Sequence, residues 1–216
     1  MMPIVATSGR RRAVWAGAAL AVAVAAIALP DRGSFRAGVT GTAVEEVLRV
    51  DSATRAALLE AADRHLETDP GRVGQYLLIT ERPELRPRVF CREEFVEVRR
   101  KDPHLLLGVV AACLELARSG AGLVGGSGFH SPLLLTVERA GERAGEQAGE
   151  RFAVREVEEP LDGDMNLPSI RRMFSPEGAP RAVDLEAGGR ETQQALDDEA
   201  CRVFGLPAGT EVTYLS

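Results

Sequence analysis

Apolar residues recur at helical spacing between 43 and 67, where Val44, Val47 and Leu48, then Ala57, Leu58, Ala61 and Ala62, line one side. Asp51 and Ser52 can cap a second helix inside this stretch, and Asp69-Pro70-Gly71 ends it. The pattern then changes. "VGQYLLIT" (73–80) is a short continuous apolar run that reads as a buried strand, and "RPRVFCREEFVEVRR" (86–100) reads as a longer one. In the longer run, Glu93-Glu94 interrupts the alternation and marks a bulge or bend. Asp102 suits an N-cap and Pro103 the first turn of a helix over "HLLLGVVAACLELARSG". That segment is apolar nearly all round, so the helix is expected to be central and buried, with Gly120 closing its C-terminal end.

"SPLLLTVER" (131–139) and "RFAVREVEE" (151–159) are again strand-like. Between them "AGERAGEQAGER" repeats with period four, and each of Gly141, Gly145 and Gly149 costs a helix ~1 kcal/mol relative to Ala. Residues 139–150 therefore read as a mobile repeat loop. A loop-rich stretch (160–190) leads to an amphipathic helix, "ETQQALDDEACRVFG", with Leu196, Ala200, Val203 and Phe204 inward, and "TEVTYLS" closes as a strand. The class is α+β. From residue 86 onward the order is βαββαβ, the element order of a ferredoxin-like split βαβ domain, with an extra helix and strand in front.

Residues 1–30 have a different character. "GRRR" precedes seventeen uncharged residues (13–29) ending at Pro30, the layout of an export signal, and "RRRAVW" loosely fits the twin-arginine form. The run is short and Ala-rich against the ~20 apolar residues that span a bilayer. Two readings stay open: a signal cleaved after Ala26-Ile27-Ala28, or an uncleaved anchor holding the chain in the membrane through residues 13–29 with the remainder outside. A linker (31–42) then leads into one extracytoplasmic domain (43–216). Without the three signal arginines, 23 Lys and Arg face 32 Asp and Glu, a net charge of about −9. So acidic a domain, with no basic run interleaved with aromatics, sets nucleic acid aside. One Lys (Lys101) and one Asn (Asn166) beside abundant Ala, Gly and Arg suggest a GC-rich bacterial genome, in which Arg is the default cation.

Candidate chemistry is sparse. "RSGAGLVGGSGFHSP" (118–132) spells G-x-G-x-x-G, but the expected order is helix, glycines, strand, the reverse of a nucleotide-binding turn, and no cofactor is implied. Ser127 and His130 invite a nucleophile reading, with Asp102 or Asp164 as the carboxylate, although "GGSGF" lacks the second glycine of a nucleophile elbow. His65, His104 and His130 show no zinc spacing. Asp162, Asp164 and Asn166 open like a calcium loop, but Leu167 and Met173 stand where it needs Gly and Glu, so no metal is expected. Cys91, Cys113 and Cys201 allow three alternative disulfides with one thiol left over. Arg171, Arg172 and Arg181 flank Met173-Phe174, a partner surface if that pair is exposed and a covering loop if Phe174 is buried. The expected protein is an exported, membrane-tethered bacterial envelope protein, a non-enzymatic binding or assembly module for an envelope protein or cell-wall component. The alternative is a small secreted hydrolase using Ser127 and His130.

Overall fold

The computed structural model describes residues 46–73, 75–140 and 151–214. The export segment (1–30), the linker (31–42) and most of the repeat loop (141–150) lie outside these residues. The chain divides into residues 1–41 and a compact unit from Thr42 to Ser216, and all the described helices and strands lie in the second unit. Among the described residues no helix is long and apolar enough to cross a membrane.

The class is α+β. Three helices come first: α1 (Ser52–Thr68), the one-turn α2 (Pro70–Val73) and the short α3 (Leu77–Glu81). Strands β1 (Arg88–Lys101), β2 (His104–Ser119), β3 (Gly122–Arg139) and β4 (Phe152–Glu158) follow as an antiparallel meander. Helices α4 (Asn166–Met173), α5 (Gly178–Ala187) and α6 (Arg190–Phe204) lead to β5 (Val212–Tyr214), which pairs parallel to the start of β3. The first capping expectation holds: Asp51 accepts a hydrogen bond from Thr54 N at 2.7 Å and starts α1. Residues 46–48, expected to be helical, instead run along β1, with Leu48 N donating to Val98 O.

The largest correction concerns the expected central helix. Residues 104–119 form β2, and Asp102-Pro103 is the β1–β2 turn. Period could not separate the two, because a strand buried on both faces is as continuously apolar as a buried helix. On β2, Leu107, Val109, Ala111 and Cys113 face the core under α1, whereas Leu106, Val110, Ala112 and Leu114 face α4–α6. The sheet is thus sandwiched between two helical layers. Gly120 has φ +63 in the two-residue β2–β3 turn, so the glycine read as a helix terminator serves a hairpin instead.

The ferredoxin-like order is overturned with that helix: no helix separates β1 from β2, and four strands run consecutively. The run 73–80, expected as a strand, supplies α3, and the stretch 160–190 holds two helices. The interruption expected at Glu93-Glu94 appears as a register shift between Phe95 and Glu97. In α6, Leu196 and Ala200 point inward as expected and Phe204 is partly buried, while Val203 is 41% exposed and Cys201 is buried in its place.

Candidate functional site

The glycine stretch belongs to β3, where it answers the packing of neighbours. A Cβ on Gly125 would lie 2.6 Å from the Tyr214 ring of β5, and one on Gly126 would collide with the Glu115 carboxylate. Between Leu114 and Leu116 the β2–β3 register shifts, so that Glu115 faces both Gly126 and Ser127. Glu115 is fully buried and accepts hydrogen bonds from Leu78 N (2.7 Å), Ile79 N and Ser127 N (3.3 Å). Ser127 Oγ accepts from Leu77 N at 3.2 Å. The bulge thereby seats the first turn of α3, whose unpaired N–H groups need such acceptors.

Ser127 therefore faces α3. His130 faces the other layer, with its ring against Gly189 at the start of α6 and Nε2 buried without a hydrogen-bond partner. The structure does not bring the two together. Asp102 lies at the β1–β2 turn, about eight residues along β2 from Ala112, the register partner of His130, or roughly 26 Å. Asp164 is exposed in the turn before α4. Ser169 Oγ of α4 accepts from Leu161 N and donates to Asn166 O, which ties the preceding segment to the first turn of α4.

Cys91 and Cys113 are opposite each other on β1 and β2 and form a disulfide, whereas Cys201 is a buried free thiol. A Glu93 carboxylate oxygen lies within 4.8 Å of both sulfurs, but joined sulfurs offer no thiolate to a metal. Burial, reinforced by Asp63 and Glu67, pushes the Glu93 carboxyl up to about 8, and its Oε1 has no hydrogen-bond partner. Met173 and Phe174 are buried, so the pair is part of the core and the flanking arginines frame no exposed apolar pair. Behind them Glu97 accepts from Ser175 N and Ser175 Oγ, with Arg99 Nε 3.1 Å away and the Arg99 guanidinium donating to Met173 O. These buried groups hold the α4–α5 segment on the sheet.

Three concave features remain among the described residues, one of them, of about 520 Å³, around the β1–β2 turn beside Asp102, His104 and Glu138. A groove of about 620 Å³ between α4 and α5 is lined by Leu167, Ile170, Ala179, Pro180 and Val183, with Arg171 and Asp184 among its polar lining. Leu161, Met165 and Leu167 are each about half exposed in the segment that enters α4. A smaller cleft of about 250 Å³ lies beside β3, formed by Arg72, Gln75, Tyr76, Ser127, Gly128, Phe129 and Glu159. Arg72 stacks over the Phe129 ring at 5.2 Å and is ion-paired with Glu159. The Tyr76 hydroxyl is buried with no hydrogen-bond partner, and burial raises its pKa. Sequence reasoning missed this cleft, because Arg72 precedes and Tyr76 lies within the segment read as a strand (73–80), and only the bulge brings them to Ser127.

Together these features define a mixed five-stranded sheet with helices on both faces and a small cleft beside β3. No protein-family model matches the chain, and neither a curated protein nor a solved structure matches it.

Proposed function

We propose that this chain is an exported, membrane-tethered bacterial envelope protein whose folded domain is a non-enzymatic binding or assembly module outside the cytoplasmic membrane. The observation that carries the reading is the separation of Ser127 and His130 on opposite faces of the sheet, with Ser127 already occupied by α3. A nucleophile needs its base within hydrogen-bond reach. The buried Glu97 and Glu115 serve as acceptors for backbone N–H groups, a use that stabilises the fold. The half-exposed Leu161, Met165 and Leu167 beside the α4–α5 groove provide contact surface for an envelope protein or cell-wall component. Tethering rests on the arginines at 10–12 and the apolar run 13–29.

The test is fractionation of a C-terminally tagged full chain, with its mass measured and a photo-crosslinking residue at Leu167. Full-length protein in the membrane with a discrete cross-linked species supports the reading. A product shortened by about 28 residues and free in the medium contradicts the tether. Ester or peptide hydrolysis lost on Ser127→Ala and His130→Ala would contradict the non-enzymatic role.

A further inference from the structure

Among the described residues the outer edge of β3 is paired in two separate stretches. On the side away from β2, β5 pairs with Leu123–Gly125, and β4 begins its pairing at Leu134↔Glu158. Among the described residues no strand pairs with that side between Gly126 and Leu133, a span of eight residues or roughly 26 Å. Pro132 falls inside the span. A proline lacks the N–H that a ladder requires and is at home on an edge, so it blunts the far end and leaves Gly126–Ser131 open to pairing. Gly128 is exposed, so here the backbone itself meets solvent.

The small cleft lies on the α3 side of this same stretch. Tyr76 is 6% exposed overall, its hydroxyl has no partner, and its ring lines the cleft beside Arg72. A buried hydroxyl without a partner is costly unless something supplies one. Arg72 offers a planar fork of donors, already steadied over Phe129 and matched to a carboxylate in Glu159. The volume, about 250 Å³, suits one side chain.

We propose that the open edge of β3, Gly126–Ser131, binds an extended peptide segment of a partner protein by strand addition, and that the cleft receives a carboxylate side chain of that segment. Main-chain hydrogen bonds to the edge provide affinity, while Arg72 and the Tyr76 hydroxyl select Asp or Glu over neutral residues. Glu159 is the intramolecular stand-in that the ligand carboxylate exchanges with on Arg72. The site rests on the binding-module reading and adds to it a ligand class.

The experiment uses the full chain in detergent micelles and fluorescein-labelled octapeptides of alternating Thr and Ser, with Asp, Asn, Lys or Val at one central position. The Asp series is expected to bind, and N-methylation of alternate peptide amides to weaken it at least about ten-fold by removing ladder donors. Arg72→Gln and Tyr76→Phe are each expected to weaken the Asp peptide by about ten-fold while leaving the Asn peptide unchanged. Absence of binding in the Asp series up to about 1 mM, a range covering the weakest specific contacts, overturns the proposal. So does indifference to N-methylation, or equal binding of Asp and Asn peptides. Cross-linking at Leu167 without any edge binding would overturn this site and leave the module reading standing.

Discussion

Two glutamates flank the same disulfide on the α1-facing side of the sheet, and they fare differently. Glu115 stands two residues past Cys113 and Glu93 two residues past Cys91; because the strands are antiparallel, they extend from the bridge in opposite directions. Glu115 is the more deeply buried, yet its oxygens accept from three backbone N–H groups of α3 and β3. Glu93 has an oxygen with no partner and faces Asp63 and Glu67 of α1, whose own carboxyls are pushed up chiefly by burial. Depth of burial does not decide whether a carboxylate fits; the donors aimed at it do.

The largest effect is expected from Glu115→Ala, which leaves the buried Leu78 N–H and the part-buried Ile79 and Ser127 N–H groups without an acceptor and should cost about 3 kcal/mol in denaturant unfolding. Reducing the Cys91–Cys113 bridge opens a loop whose ends are 22 residues apart and should cost about 3 kcal/mol, read as a lowered midpoint in the presence of reductant. Glu93→Gln should act in the opposite direction to Glu115→Ala. With its folded pKa raised from 4.5 to about 8, Glu93 holds its proton more tightly in the native state. The native chain is favoured most below about pH 4.5, and stability falls as pH rises from there to about 8. The Gln variant should remove that slope and gain about 2 kcal/mol at pH 8, with little gain at pH 4. A gain equal at both pH values would mean that ionisation of Glu93 is not what burdens the sheet. Ser127→Ala should cost the least, about 1 kcal/mol for one hydrogen bond to Leu77 N.

Much of the frame was legible. Asp51 as the α1 cap, β1 with its irregularity and the inward Leu196 and Ala200 followed from local rules. The 104–119 segment did not. Leu and Ala favour a helix intrinsically, and only covering on both faces makes such a run a strand. Gly108 was an overlooked sign: a Cβ there would lie 2.7 Å from the Phe174 ring, so the position is set by a contact 66 residues away in sequence. The cleft was hidden for a related reason. Once the glycines were placed after a helix, they could only be a loop, whereas in β3 they form an edge beside Arg72 and Tyr76. The sequence allowed three cysteine pairings, and the register that places Cys91 opposite Cys113 exists only with β2 as a strand.

The most direct measurement is hydrogen exchange along β3 in the full chain without ligand, resolved to single amides. Leu135 and Val137, paired on both sides, should exchange slowly, whereas the amides of Gly126–Ser131 that point away from β2 should exchange orders of magnitude faster. Uniform protection from Leu123 to Val137 would mean that the edge is already covered, and it would contradict an open docking strand.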